Sequence, residues 1–154
     1  MINMIFAIDR NNLFGNNGKL AWHYSEDLAY FKEKTLNKTC IMGEETFKSV
    51  LRNNKPLPNR KSVIATLTDY TFPGVEVTHD IFKYLSDHKD EDLYIIGGKR
   101  IIEITYHLCD YIYITYIDED HTGDTYLNID LSNFDLISEN INGILHFRVY
   151  KRRQ

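Results

Sequence analysis

The sequence predicts an α/β protein: one central, mixed but mostly parallel sheet of about eight strands, about four helices and a C-terminal antiparallel hairpin. Short apolar runs alternate with helical segments over residues 2–106, which is typical of parallel strands joined by helical crossovers. After residue 108 apolar and polar residues alternate instead, as in antiparallel strands. Asn142-Gly143 is a hairpin signal between the last two of these segments.

The individual elements follow from the same patterns. Near-continuous apolar runs, which indicate strands covered on both faces, occupy residues 2–8, 38–42, 61–66, 75–77 and 92–96. Helices fit residues 25–36, with Ser25 as N-cap, and residues 44–51, 79–87 and 98–106. The remaining strands are expected at 110–117, 134–139 and 145–152. No Pro-, Gly- or Ser-rich linker divides the chain, so we expect residues 1–154 to form a single domain.

Composition and charge exclude several classes of protein. Hydrophobic residues make up 43% of the chain and charged residues 26%, which excludes disordered, collagenous and low-complexity classes. The formal net charge of -4 disfavours general nucleic-acid binding, which needs a basic face. No apolar stretch is long enough for a signal peptide or a membrane span. We therefore expect a cytoplasmic monomer that binds neither nucleic acid nor a membrane.

The two cysteines do not indicate a metal or redox site. Cys40 and Cys109 are far apart and have apolar neighbours, and neither belongs to a C-x-x-C pair. We expect both to be buried free thiols in a reducing compartment, and we expect no metal site.

Two turns from strand to helix are candidate phosphate-binding sites. Gly97-Gly98 ends one strand and Lys99-Arg100 opens the next helix. Two glycines permit a tight turn and the close approach of a ligand, and a helix start offers free N–H groups to an anion. A plain strand-to-helix turn explains the same residues equally well.

The second candidate turn also leads from a predicted strand into a predicted helix. Gly43 ends a strand and Thr46 lies in the first turn of the following helix, whereas Glu44 and Glu45 fit an ordinary helix start. Two such turns at one sheet edge would cradle the pyrophosphate of a dinucleotide. Neither turn contains the G-x-G-x-x-G fingerprint, so the standard dinucleotide-binding fold is not indicated.

Asp27 lies on the apolar side of the first predicted helix. It precedes Phe31 by four residues, so both side chains point the same way. A carboxylate beside apolar walls should have a raised pKa and needs a partner or a ligand. Asp27 would suit recognition of a ring with N–H donors, or proton delivery near neutral pH. The alternative is a first-turn Asp that only serves the helix dipole.

The segment before this helix is a candidate mobile loop. Gly15 and Gly18 would allow it to open and close over a site. It carries the sole tryptophan, Trp22, for which core anchoring is the alternative explanation.

Ten short segments, in order, connect these candidate residues to a known family: Ile5-Phe6-Ala7, Gly15, Leu20-Ala21-Trp22, Asp27-Leu28, Phe31, Ile41-Met42-Gly43 with Thr46, Leu57-Pro58-Asn59-Arg60-Lys61, Ile96-Gly97-Gly98, Tyr113-Ile114-Thr115 and Gly123-Asp124-Thr125. Their order and spacing resemble dihydrofolate reductases of the bacterial or phage chromosomal type. The resemblance covers nearly the whole chain.

This resemblance implies NADPH-dependent reduction of 7,8-dihydrofolate to 5,6,7,8-tetrahydrofolate, by hydride transfer to pterin C6 and protonation at N5 through a water near Asp27. The catalytic residues would be Asp27, which binds the pterin N3 and 2-amino group, Thr115, which binds Asp27 and that amino group, and Trp22. Arg60 would bind the substrate α-carboxylate, a task suited to a guanidinium. The apolar walls of the substrate site would be Ile5, Phe6, Leu28, Phe31, Val50 and Leu57.

The resemblance also implies a cofactor site formed by Ala7, Gly15, Leu20, Gly43, Glu44, Thr46, Thr66, Leu67, Ile96, Gly97, Gly98, Lys99, Arg100 and Ile101. Gly97-Gly98 would form a cis peptide by family habit, and Gly15 and Asp124 would link the mobile loop to its partner loop. Glu44 stands where Arg or Lys often helps bind the adenosine phosphate, and Leu67 stands where a hydroxyl donor is common. We therefore expect NADPH to be preferred and NADH also to be accepted.

Two alternatives stay open at this point. The chain could reduce a related pterin or pyrimidine, but such a substrate gives no reason for Arg60 and Asp27 to occur together. It could also be a non-catalytic phage structural component that retains the fold, but that role gives no reason to keep Asp27, Thr115 and Arg60.

Overall fold

The computed structural model describes residues 1–154 and contains ten strands and four helices. The strands are β1 (Ile2–Asp9), β2 (Leu13–Gly15), β3 (Thr39–Gly43), β4 (Lys61–Ala65), β5 (Glu76–Thr78), β6 (Leu93–Gly97), β7 (Tyr111–Ile117), β8 (Thr125–Tyr126), β9 (Phe134–Asn142) and β10 (Leu145–Arg152). The helices are α1 (Ser25–Thr35), α2 (Glu44–Val50), α3 (Ile81–Asp87) and α4 (Lys99–Thr105), and a 3₁₀ turn follows at Tyr106–Leu108.

Eight of the strands form one mixed sheet, in the order β5-β4-β3-β6-β1-β7-β10-β9. The pairs from β5 through β7 are all parallel, since helices or long loops return the chain to the same end of the sheet. β10 pairs antiparallel with β7 and with β9. The predicted α/β class, the mostly parallel sheet and the C-terminal antiparallel pair are confirmed.

Side chains from β1 enter the core on both faces of the sheet. Every residue of β1 is buried, and successive side chains of a strand point to opposite faces. Met4, Phe6 and Ile8 belong to one apolar cluster. Ile5 and Ala7 belong to two others, which contain residues of α2 and of the segment before α1. The near-continuous apolar run predicted for this strand therefore fills two layers.

The start of α1 differs from the prediction. Its N-cap is Tyr24, which makes no capping hydrogen bond through its side chain. The backbone N–H groups of Asp27 and Leu28 both donate to the Tyr24 carbonyl oxygen, at 3.1 Å. These two bonds start the helix one residue earlier than expected, so the assignment of Ser25 as N-cap is wrong. The other predicted elements are present, with ends shifted by a few residues.

Two features of the loops and turns also differ. β2 and β8 form a separate two-stranded sheet that the sequence did not indicate, because three and two residues are too short to show a period. In the last hairpin, Asn142 pairs with Leu145, so the turn residues are Gly143 and Ile144. Gly143 has a φ of 62°, which glycine adopts without strain.

Cys40 and Cys109 are both buried free thiols, as predicted. None of the helices is long and apolar enough to cross a membrane.

Candidate active site

The parallel pairing brings several predicted site residues to one edge of the sheet. Gly43 ends β3, Thr66 directly follows β4 and Gly97 ends β6. These strands run parallel to one another and to β1, so their carboxyl ends share an edge. In open α/β sheets that edge is where ligands bind.

Asp27 lies in the first turn of α1, half-buried, and faces the sheet. Thr115 of β7, which is only 2% exposed, donates from Oγ1 to Asp27 Oδ1 at 2.7 Å. The β1–β7 register pairs Thr115 with Ala7. Burial raises the pKa of the Asp27 carboxyl, and the Thr115 hydrogen bond opposes that shift. The predicted direction of the pKa shift is confirmed.

The apolar side chains beside Asp27 come from three parts of the chain. Ile5 is buried in a cluster against which Phe31, Val50 and Leu57 pack, each of them half-buried. Leu28 is exposed. Ile5, Phe31, Val50 and Leu57 form an apolar wall, of which only Ile5 is fully buried.

Phe6 does not belong to this wall. Its side chain lies on the opposite face of the sheet from Ile5, in the cluster with Met4 and Ile8. Its ring packs edge-on against Phe14, with the centroids 6.3 Å apart. The expected contact of this side chain with substrate is therefore corrected, because Phe6 and Ile5 are adjacent in an extended strand.

Trp22 is buried beside Ala7 and Leu13. Its Nε1–H has no hydrogen-bond partner in the protein. A buried donor without a partner is costly, so this N–H suits a polar ligand. Leu20, two residues earlier, is 53% exposed.

Arg60 lies beside Phe31, with its Cζ 6.0 Å from the ring centroid, and two hydrogen bonds orient its guanidinium. Its Nε donates to the Pro58 carbonyl oxygen at 3.0 Å, and its Nη1 donates to Thr35 Oγ1 at 3.3 Å. No carboxylate of the chain forms a salt bridge with Arg60. The guanidinium is thus oriented and keeps donors for an outside anion. The sequence analysis did not identify Thr35, because no local pattern links it to a residue 25 positions away.

The two glycine turns form a cradle at the carboxyl ends of β3 and β6. The Gly97-Gly98 peptide is cis, as the family resemblance implied. A Cβ at Gly97 would lie 3.3 Å from Thr46 Oγ1 and 3.4 Å from Phe14, and a Cβ at Gly98 would lie 3.2 Å from the same hydroxyl. The glycines thus let the backbone approach Thr46 Oγ1 more closely than residues with a Cβ could.

The residues around this cradle differ in exposure. Ile96 is buried and Ile101 is half-buried. Lys99 and Arg100 are exposed, and no salt bridge engages either one. Two cations without internal partners therefore begin α4.

The Glu44 carboxylate accepts hydrogen bonds from two threonines and forms an ion pair with a lysine. Thr66 Oγ1 and Thr68 Oγ1 donate to its Oε1 at 2.9 and 2.7 Å, and Lys48 Nζ lies 2.9 Å from its Oε2. The hydrogen bonds from Thr68, Lys48 and Thr66 lower the pKa of Glu44 to about 2. Leu67 is 85% exposed and takes no part. Lys48 could have been anticipated from its i+4 spacing, but the two threonines could not.

Gly15 and Asp124 connect two loops above the sheet. The Asp124 N–H donates to the Gly15 carbonyl oxygen at 3.3 Å. The Asp124 carboxylate accepts the Asn17 N–H at 3.1 Å. A Cβ at Gly123 would lie only 2.7 Å from the Gly15 oxygen, so glycine is needed for this approach.

The sequence of the chain matches a known protein family. A family model described as dihydrofolate reductase matches residues 1–144. The chain belongs to the dihydrofolate reductase family. It is 37% identical over 141 residues to the dihydrofolate reductase of Bacillus subtilis (strain 168), covering 90% of this chain and 82% of the relative. It is 33% identical over 144 residues to that of Ureaplasma parvum serovar 3, covering 92% and 90%.

A solved structure agrees with this family assignment. The dihydrofolate reductase from Enterococcus faecalis, complexed with NADP(H) and RAB-propyl, superposes with a TM-score of 0.90 at 32% identity. The match covers 100% of this chain and 97% of the other. The reductase fold is therefore shared over the whole chain.

Substitution of Asp27 by Asn should stabilise this reductase fold at high pH. Because the folded state raises the pKa of Asp27, ionisation of Asp27 costs folding free energy as the pH rises from its ordinary range through the folded value. Asp27→Asn removes that cost and leaves an oxygen for Thr115. Urea titrations should show a higher free energy of unfolding for the variant at about pH 8 and a smaller gain at about pH 5.

The control for this measurement is Glu26→Gln. Glu26 is the exposed neighbouring carboxylate, and the hydrogen bond that it accepts from Asn142 Nδ2 is one that the glutamine oxygen can keep. An equal, pH-dependent gain in Glu26→Gln would contradict the assignment of the effect to burial of Asp27.

Proposed function

We infer that the chain catalyses the NADPH-dependent reduction of 7,8-dihydrofolate to 5,6,7,8-tetrahydrofolate. The observation that carries this inference is the half-buried Asp27 carboxylate bonded to Thr115, in a chain that belongs to the dihydrofolate reductase family. The two alternatives, a different pterin or pyrimidine substrate and a non-catalytic structural role, find no support in the comparisons.

Asp27 and Thr115 are proposed to recognise the pterin ring and to prepare its reduction. A carboxylate accepts hydrogen bonds from two parallel N–H donors, as the pterin N3 and 2-amino group offer. Thr115 Oγ1 donates to Asp27, so its lone pairs stay available to the 2-amino group. Because burial raises the pKa of Asp27, the site retains a proton to higher pH than an ordinary carboxyl would allow, and a water molecule can pass that proton to N5.

The wall of Ile5, Phe31, Val50 and Leu57 is proposed to hold the apolar parts of the substrate. Arg60 then binds the α-carboxylate of the glutamate tail. In support of this role, its guanidinium is oriented by Pro58 and Thr35 and has no internal carboxylate partner.

The cradle around Gly97-Gly98 is proposed to hold NADPH. The close approach of the glycine backbone to the Thr46 hydroxyl, together with the unengaged cations Lys99 and Arg100, fits a phosphate-bearing dinucleotide. When bound, NADPH supplies the hydride that reduces C6. Ala7, Ile96 and Trp22 are then proposed to exclude water from that side, with Trp22 Nε1–H as a free donor.

The oligomeric state, compartment and domain organisation are further proposals. We propose a cytoplasmic monomer whose residues 1–154 form a single domain. The continuous eight-stranded sheet supports the single domain, and the absence of a helix able to span a membrane is compatible with the compartment.

The direct test is a steady-state assay of the purified chain at about 340 nm, where NADPH oxidation is followed in the presence of dihydrofolate. We expect turnover with dihydrofolate and NADPH. If related pterins or pyrimidines turned over and dihydrofolate did not, the proposed substrate would be wrong.

Asp27→Asn should slow the hydride-transfer step strongly near neutral pH. A general acid contributes about 10²–10⁴-fold to rate, and Asn cannot supply a proton. Because the protonated substrate complex is the form that reacts, the wild-type rate should fall as the pH rises through the raised pKa of Asp27. Thr115→Val removes the hydrogen bond that lowers this pKa. In this variant the fall of the rate with rising pH should therefore occur at higher pH than in the wild type. Single-turnover rates across pH check both, and a pH-independent wild-type rate would contradict the role of Asp27.

Arg60→Leu should weaken folate substrates and spare pterins that lack the glutamate tail. Loss of a charge-assisted pair costs about 1.5–3 kcal/mol, or roughly one to two decades in affinity. The control is Arg52→Leu, because the Arg52 guanidinium already donates to the Ser49 and Leu51 carbonyl oxygens. Equal loss for tailed and tailless substrates in Arg60→Leu would mean that the arginine is structural.

Glu44→Arg should raise the preference for NADPH over NADH. The substitution replaces an acidic group by a cation near the proposed adenosine 2′-phosphate position, and one charge-assisted contact is worth about 1.5–3 kcal/mol, roughly one to two decades. The gain should be smaller at high salt, since screening acts over about 8–10 Å. The ratio of kcat/KM for the two cofactors, measured at two ionic strengths, checks this.

Glu45→Arg is the matched control for cofactor choice, because Glu45 is adjacent and its side chain is 84% exposed. It makes the same charge change without disturbing Thr66 and Thr68. A ratio that moves equally in both variants would show that Glu44 does not face the phosphate.

A further inference from the structure

Three side chains outside the proposed binding residues meet beside Trp22. His121 Nε2 lies 3.0 Å from Tyr24 Oη and 3.3 Å from Glu119 Oε1. Tyr24 Oη lies 3.4 Å from the same Glu119 oxygen. The His121 ring contacts Trp22, with centroids 5.4 Å apart and the planes inclined by 57°. We call Tyr24, Glu119 and His121 the histidine clasp.

The position of His121 is set by the sheet rather than by its own loop. Its backbone N–H donates to Asp9 Oδ2 at 2.9 Å. Asp9 ends β1, is fully buried, and also accepts the N–H groups of Asn11 and Leu13. The backbone of His121 is therefore anchored to β1, and the rings of Trp22 and Tyr24 pack against its imidazole.

The hydrogen bonds of the clasp depend on whether His121 Nε2 carries a proton. Burial and the nearby Glu119 carboxylate raise the pKa of Tyr24, so its hydroxyl keeps its single proton at neutral pH. When His121 is neutral and Nε2 accepts, that proton goes to Nε2 and Glu119 receives none from Tyr24. When His121 is protonated, Nε2–H donates to Tyr24 Oη and Tyr24 donates to Glu119.

Protonation strengthens the clasp through its charge, because a neutral imidazole with its proton on Nε2 already makes the same two hydrogen bonds. It adds an ion pair between His121 and Glu119 and places a cation beside the indole ring, which is itself attractive. The charged and titratable groups around the ring are Asp9 from β1, Tyr24 from the segment before α1 and Glu119 from its own loop. Arg10 is engaged by Asp118 and Asp120.

We propose that His121 is a positioning residue for the reductase reaction: its protonation tightens the clasp, holds Trp22 against the site, and adds a pH dependence separate from that of Asp27. Tyr24 caps α1, and its carbonyl oxygen accepts the Asp27 N–H. The clasp thus holds the segment that leads from Trp22 to Asp27. The effect on catalysis rests on the proposed function, but the protonation of the clasp does not.

The fluorescence of Trp22 tests the clasp without any turnover. Trp22 is the only tryptophan, and a protonated imidazole in contact quenches indole emission. Wild-type emission should fall as the pH is lowered from about 8 to about 5, the range in which histidine titrates. His121→Gln keeps the backbone N–H for Asp9 but does not titrate, so the step should disappear.

Two further variants make the fluorescence result specific. His23→Gln replaces the histidine next to Trp22 in the chain, which is exposed, and should keep the step. Glu119→Gln removes the carboxylate next to His121 but keeps the imidazole against the indole ring, so the step should remain. A step that persists in His121→Gln, or that is lost only in His23→Gln, overturns the proposal.

Single-turnover hydride transfer tests the consequence for the reaction. His121→Gln should slow it at about pH 6 by roughly twofold to fivefold, the contribution of a partly exposed ion pair, and less at about pH 9, where imidazole is neutral. The ratio of wild-type to variant rate cancels the shared contribution of Asp27. A ratio independent of pH would overturn the positioning role. A wild-type chain that reduces no dihydrofolate would overturn the proposed function, and the fluorescence step would still decide the clasp.

Discussion

Parallel pairing of the central strands is the constraint on which the whole site depends. β3, β6, β1 and β7 are hydrogen-bonded side by side in one direction, so each return of the chain must cross a face of the sheet and cover it. The carboxyl ends of these four strands therefore lie at one edge of the sheet. The β1–β7 register sets Thr115 level with Ala7, and α1 crosses that face with Asp27 in its first turn. For this reason Asp27 and Thr115, which are far apart in the chain, form a hydrogen bond.

At this edge two carboxylates have opposite environments. Asp27 is held against apolar side chains with one hydroxyl donor, and burial outweighs that donor, so its pKa is raised. Glu44 receives two hydroxyls and an ammonium, which lower its pKa to about 2. The same functional group is therefore ready to carry a proton at one end of the edge and remains ionised at the other. We therefore expect proton chemistry only at the Asp27 end, and we expect Glu44 to act only through its charge.

Local patterns and the family resemblance each predicted different parts of this structure. Periodicity located the main strands and helices, and the i+4 relation to Phe31 placed Asp27 on the correct face of α1. The cis peptide came only from the resemblance. Phe6 was misplaced because it was carried over with Ile5, although the period of two in a strand sends neighbours to opposite faces. The Arg60–Thr35 and Trp22–His121 contacts join distant segments, so no local pattern could reveal them.

The distribution of internal salt bridges explains how a chain of net charge -4 can hold anionic ligands. Charges separated by more than about 8–10 Å are screened at physiological salt, so a bound carboxylate or phosphate responds to its neighbours and not to the net charge. Lys48 and Lys61 are engaged by glutamates. Arg60 and Arg100 are engaged by none and stand at the two ends of the proposed site. Internal salt bridges engage eight of the 18 lysines and arginines. Arg60 and Arg100 are among those left unengaged, and they lie where a tail carboxylate and a dinucleotide phosphate would bind.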